Sequence, residues 1–155
     1  MRQKATGIAS AGTEAINAMK SERQTQQTGD GGSLELKAIL VVDDDQQLAS
    51  ALQWILADEN FLVDVAFDGD EAILKVKAHN YDAVLCDLKM PRLRGDEFYL
   101  QARETRPDLA DRFIFITGYA TDLEVRQFLV ENEVKFLLKP FRILDLISCV
   151  RELLG

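Results

Sequence analysis

Five short apolar runs, each followed by a longer stretch of helical period, constrain this chain more than any other feature of it. The runs are Ala38–Val42 (AILVV), Phe61–Phe67 (FLVDVAF), Ala83–Cys86 (AVLC), Phe113–Ile116 (FIFI) and Phe136–Leu138 (FLL). Between and after them lie amphipathic stretches over Gln46–Asp58, Asp70–His79, Gly95–Thr105, Asp122–Glu131 and Ile143–Leu154. Strands of this length alternating with helices of ten or so residues mean repeated βα units on a parallel sheet. Four of the runs are almost continuously apolar, as strands covered on both faces are. Asp64 interrupts the second, which suits a place at the sheet edge. The expectation is a doubly wound α/β domain over 38–155, whose ligand site lies beyond the carboxyl ends of its strands.

The first 37 residues read differently. Ser21–Ser33 (SERQTQQTGDGGS) is polar, then glycine-rich, and has the composition of a linker. Gly12–Lys20 has the spacing of a short helix, with Ile16 and Met19 on one side. Residues 1–37 are therefore expected to be an extension and linker, in part helical or disordered.

Charge and composition remove several classes of function. The formal net charge of −8 leaves no basic footprint for nucleic acid. No apolar run approaches the roughly 20 residues of a membrane span, and no signal-peptide apolar region follows the start. Cys86 and Cys149 form no disulfide framework, and their apolar neighbours suggest buried, reduced thiols in a cytoplasmic protein.

The residues that end the runs carry the chemistry. Asp43 and Asp44 follow the first run, Asp87 the third, Thr117 the fourth and Lys139 the fifth. A parallel sheet brings them to one edge. Clustered carboxylates raise one another's pKa unless a cation sits among them. Hard oxygen donors favour Mg²⁺ over zinc, for which there is no Cys/His set. A central aspartate can also accept a phosphoryl group, with Mg²⁺ and Lys139 neutralising the oxygens and Thr117 hydrogen-bonding to one of them.

Four segments in order, ILVVDDD (Ile39–Asp45), DAVLCDLKMP (Asp82–Pro91), IFITGYA (Ile114–Ala120) and FLLKPF (Phe136–Phe141), resemble the receiver domain of two-component response regulators. The resemblance covers residues 38 to 155. It implies a flavodoxin-like (βα)5 fold with strand order 2-1-3-4-5. It also implies that Asp87 is the phosphoacceptor and that Asp43 and Asp44, with Asp87 and the backbone carbonyl of Lys89, hold Mg²⁺. By the same resemblance Thr117 and Lys139 contact the phosphoryl group, Gly118 leaves the pocket open, Lys139–Pro140 is a cis peptide and Phe136 is an aromatic switch, although Phe136 also reads as simple core packing. Lys89 and Tyr119 match positions flanking the path of the hydrolytic water, where their bulk implies slow loss of the phosphoryl group.

Other residues have plainer readings. Asp45 suits an N-cap, Asp70 and Glu71 first-turn acids, His79 a helix end and Cys86 a core thiol. His79 is the only histidine, which argues against a phosphotransfer domain or kinase core.

The resulting expectation is a phosphorelay receiver, not an enzyme in its own right beyond its own phosphotransfer and dephosphorylation. Its partners would be a sensor histidine kinase or histidine phosphotransfer protein and a downstream protein target, with no nucleic acid and no membrane. An aspartyl-phosphate phosphatase is the alternative: Asp43-x-Asp45 fits its motif, but Asp87 on the third strand and the lack of a cap-sized insertion do not. A flavodoxin-like electron carrier is disfavoured, because Asp43–Asp45 would repel its phosphate. With no output domain after Leu154-Gly155, the chain reads as a stand-alone receiver or the tail of a hybrid kinase.

Overall fold

The computed structural model describes residues 35–119 and 121–155, so the expected helix and linker before residue 34 lie outside the described residues. Five strands, β1 (Ala38–Val42), β2 (Leu62–Ala66), β3 (Ala83–Asp87), β4 (Phe113–Thr117) and β5 (Lys135–Leu138), form one parallel sheet in the order β2-β1-β3-β4-β5. Five helices connect and follow them: α1 (Gln46–Asp58), α2 (Gly69–Ala78), α3 (Gly95–Thr105), α4 (Leu123–Glu131) and α5 (Ile143–Leu154). A 3₁₀ turn over Pro107–Arg112, not expected from the apolar pattern, links α3 to β4.

Alternating strand residues divide the core into two layers. Ile39, Val41, Leu85, Ile114 and Ile116 face Leu52 and Leu56 of α1 and Leu146 and Val150 of α5. Leu40, Val42, Val84 and Phe115 face α2, α3 and α4 on the other side. There the rings of Tyr99, Phe113, Phe115 and Phe128 pack edge to face or tilted, with centroids 5.0–5.8 Å apart.

The helix starts follow local chemistry. Asp45 caps α1 by accepting the N–H groups of Gln47 and Leu48, both at 3.1 Å. Asp68 accepts the N–H of Glu71 at 2.8 Å while Glu71 Oε2 accepts that of Phe67 at 3.0 Å, a reciprocal cap for α2. His79 is the C-cap of α2.

The two edge strands differ in burial from what their composition suggests. β2 lies at an edge, as Asp64 suggests, yet all five of its residues are buried. The Asp64 carboxylate is covered by Lys75 Nζ and the Tyr81 hydroxyl, each 2.7 Å away. The all-apolar FLL run is instead half open: β5 is the other edge, and Phe136 and Leu138 face outward. Cys86 is fully buried, as expected, whereas Cys149 is only partly so, and both thiols are free. Among the described residues no helix is long and apolar enough to cross a membrane.

Candidate functional site

Strand order reverses at the β1–β3 pair: the chain leaves β1 for β2 on one side and returns to β3 on the other. A crevice opens at the carboxyl ends of such a pair. Asp43 and Asp44 follow β1 there, and Asp87 ends β3. One carboxylate oxygen from each of the three lies within 4.8 Å of the others. Asp43 and Asp87 are buried and Asp44 is exposed, so the cluster has a floor and an open rim.

Lys139 completes the floor from the end of β5. Its ammonium lies 3.6 Å from Asp43 Oδ2 and 3.6 Å from Asp87 Oδ2, bridging the two buried acids. Its backbone N–H donates to the Thr117 carbonyl at 2.8 Å, which ties β5's end to β4's end. The Lys139–Pro140 peptide is cis, as expected. Thr117 is fully buried at the end of β4, and its Oγ1 accepts the Tyr119 N–H at 3.0 Å, which leaves the hydroxyl able to act as a donor. A Cβ built on Gly118 would meet nothing nearer than 3.8 Å, so the pocket is open at that position.

Burial dominates the electrostatics. Desolvation, and then the neighbouring Asp43, push Asp87 up to about 6 despite the opposing Lys139 ammonium. Desolvation also raises Asp43, against the N–H of Asp45, which donates to Asp43 Oδ1 at 2.9 Å. One ammonium therefore does not compensate three carboxylates. The unbalanced negative charge, the all-oxygen donor set and the open rim fit a hard divalent cation such as Mg²⁺.

Asp43, Asp44, Asp87, Thr117 and Lys139 are thus brought together, and Lys89 borders them. The Lys89 ammonium does not lie over the carboxylates. It sits 2.7 Å from Asp122 Oδ2 and 4.4 Å from the centre of the Tyr119 ring. Phe136 stands apart from the crevice and is not core packing. It is half exposed and lines a shallow 390 Å³ groove with Arg126, Leu129, Val130 and Leu138.

Two residues at the site have no role assigned by the sequence. Asp122 opens the amphipathic stretch Asp122–Glu131, and its pairing with a lysine 33 positions earlier leaves no local signal. Gly95 opens α3 against the acceptor strand: a Cβ there would lie 2.1 Å from the Asp87 carbonyl oxygen. The helical period that begins at this glycine, where a small residue admits close backbone approach, was the available hint.

Comparison with known proteins agrees with this geometry. The response regulator receiver domain model matches residues 39–151. The response regulator ArlR of Staphylococcus aureus is 32% identical over 116 residues, which is 75% of this chain and 52% of that protein. The chain thus spans about half the length of the curated relatives it matches. Among solved structures, a CheY-like receiver domain protein from Methanospirillum hungatei superposes with a TM-score of 0.72 at 31% identity, covering 77% of this chain and 94% of that one. The response regulator TrrA of Thermotoga maritima, solved in complex with Mg(2+)-BeF, gives a TM-score of 0.68 at 31% identity, covering 76% and 99%. None of these matches supports the phosphatase alternative. With its five-stranded 2-1-3-4-5 sheet and its aspartates at the β1–β3 crevice, the chain belongs to the response regulator receiver domains, the phosphoryl-accepting signalling modules of two-component systems.

Proposed function

We propose that residues 38–155 are a receiver that takes a phosphoryl group from a partner phosphohistidine onto Asp87, residues 1–37 being an extension to it. The observation that carries this is the Lys139 ammonium held 3.6 Å from both Asp43 and Asp87 at the ends of neighbouring strands. A carboxylate nucleophile, a positioned ammonium and a hydroxyl donor then share one small volume.

Asp43, Asp44, Asp87 and the Lys89 backbone carbonyl are the residues that would hold Mg²⁺, which when bound supplies positive charge to the equatorial phosphoryl oxygens. An Asp87 carboxylate oxygen attacks phosphorus as the bond to the donor imidazole breaks, and the electron pair leaves with that nitrogen. Lys139 exchanges part of its contact with Asp43 and Asp87 for a phosphoryl oxygen, at little reorganisation cost because it is already in place. The Thr117 hydroxyl donates to another oxygen while the Tyr119 N–H holds its lone pair. Water attacks the phosphorus of the acyl phosphate, the bond to the Asp87 oxygen breaks, and inorganic phosphate leaves as the Asp87 carboxylate is restored.

The donor is a sensor histidine kinase or a histidine phosphotransfer protein, and the readout is a contact with a downstream protein, with Phe136 as the switch. In this reading the domain works in the cytoplasm, catalyses only its own phosphorylation and dephosphorylation, and contacts neither nucleic acid nor membrane, its excess charge being acidic. The test is incubation with acetyl phosphate and Mg²⁺ followed by intact mass. The wild-type chain is expected to gain one phosphoryl group and Asp87→Asn none. Equal labelling of the variant would show that the acceptor is another residue.

A further inference from the structure

Lys89 is the second cation at this edge of the sheet. It leaves β3 two residues after Asp87, a backbone span of at most about 7 Å, so an extended lysine arm reaches the carboxylate cluster. The cluster carries three carboxylates against the one ammonium of Lys139, and burial deprives two of those carboxylates of water. A flexible ammonium nearby is drawn into such a site and would engage the oxygens that a divalent cation needs.

The structure holds it elsewhere. Asp122 Oδ2 takes the Lys89 ammonium at 2.7 Å, while Asp122 Oδ1 accepts the N–H groups of Glu124 at 3.0 Å and Val125 at 3.3 Å. The carboxylate is therefore fixed by the first turn of α4 before the lysine arrives. The Tyr119 ring, 4.4 Å below the ammonium, belongs to a residue pinned at both ends: its N–H donates to Thr117 Oγ1, and its carbonyl accepts the Asp122 N–H at 3.0 Å. Both faces of the berth thus come from the β4–α4 loop and are organised in advance.

We propose that Asp122 and Tyr119 berth Lys89 outside the carboxylate cluster and so keep the cluster open to a divalent cation. Asp122 is then a positioning residue for the metal site, acting through a lysine and touching no metal itself. This inference rests on the reading of Asp43, Asp44 and Asp87 as metal ligands. The coupling is reciprocal: a bound dication repels the Lys89 ammonium, drives it onto Asp122 and firms the start of α4. The same lysine would otherwise be an internal competitor for the ion.

The test is calorimetric titration of the full chain with MgCl₂. It compares the wild type, Asp44→Ala, Asp122→Asn, and Asp122→Asn combined with Lys89→Met. Asparagine keeps the Oδ1 cap on α4, so the helix start survives the substitution. Methionine keeps the length of the stem and the backbone carbonyl but removes the charge. Asp122→Asn is expected to bind Mg²⁺ about tenfold more weakly, and the double variant to return to within about twofold of wild type. Wild-type affinity in Asp122→Asn overturns the inference, as does a loss that Lys89→Met fails to rescue, which would mean that Asp122 acts through loop structure alone. Failure of the wild type to bind Mg²⁺, or full affinity in Asp44→Ala, overturns the metal reading itself and this inference with it.

Discussion

Replacing the acceptor Asp87 with asparagine should make the metal-free domain more stable, although it removes a residue of the site. The charged form of Asp87 is disfavoured by the fold, since burial and Asp43 together outweigh Lys139 and raise it from 3.8 to about 6. A carboxyl group that holds its proton more tightly when folded stabilises the fold at low pH. That contribution is complete below about pH 4 and is lost as pH rises through about 6. The full difference corresponds to roughly 3 kcal/mol. The charges of Asp43 and Asp87 are coupled, so a gain of about 1–3 kcal/mol is expected from Asp87→Asn at about pH 7.5. In a domain of this size that is a rise in melting temperature of about 4–10 °C. The assay is thermal unfolding in excess chelator at several values between about pH 5 and 8, repeated with saturating Mg²⁺. The wild type should lose stability across that window, the variant should lose less, and added Mg²⁺ should favour the wild type. Asp108 and Asp122, held below the usual carboxylate range by hydrogen bonds from Arg106 and Lys89, act in the opposite sense, but they are common to both proteins and cancel in the difference. A variant that melts at or below the wild-type temperature in chelator at pH 7.5 would refute the electrostatic argument.

Other outcomes follow from the same structure. Lys89→Asn and Tyr119→Glu should each shorten the life of the phosphorylated state, measured as decay after removal of the phosphodonor; equal or slower decay in both would show that these side chains do not shield the acyl phosphate from water. Gly95→Ala should destabilise the domain by several kcal/mol and impair labelling by acetyl phosphate, because its Cβ would fall 2.1 Å from the Asp87 carbonyl oxygen; urea unfolding and intact mass read the two effects. Lys75→Met should cost about 3 kcal/mol in urea unfolding by stranding the Asp64 carboxylate, which is buried at 3% exposure; a change within experimental error would show that Tyr81 and the Val65 N–H suffice to hold it.

What could be read from the sequence followed a physical division. Period and strand length are local, so α1 runs over Gln46–Asp58, α3 over Gly95–Thr105 and α5 over Ile143–Leu154 as their periodicity indicates. The cluster of Asp43, Asp44, Asp87, Thr117 and Lys139 was legible for a related reason: in a parallel sheet every strand's carboxyl end lies at one edge, so the residue after each run has a known place. Burial at the edges was not legible. Covering β2 depends on Lys75 and Tyr81 reaching back to Asp64, and the openness of β5 depends on no strand among the described residues lying beyond it. Composition distinguishes neither case. The Lys89–Asp122 pair was likewise invisible, because its partners lie 33 positions apart and no local period links them.

The parallel pairing of β1 with β3 has a consequence in time as well as in space. Ile39 is in register with Ala83 and Val42 with Cys86, so no hairpin can join these strands and the intervening α1–β2–α2 segment must be looped out before they meet. Closing so long a loop carries an entropic cost that local structure does not repay, and topologies rich in such contacts fold slowly. The three aspartates repel one another, and nothing local brings Asp87 to Asp43 and Asp44 earlier. The crevice is therefore complete only once β1 and β3 have paired. An ion that binds there and not to the unfolded chain draws the equilibrium toward the finished domain by mass action.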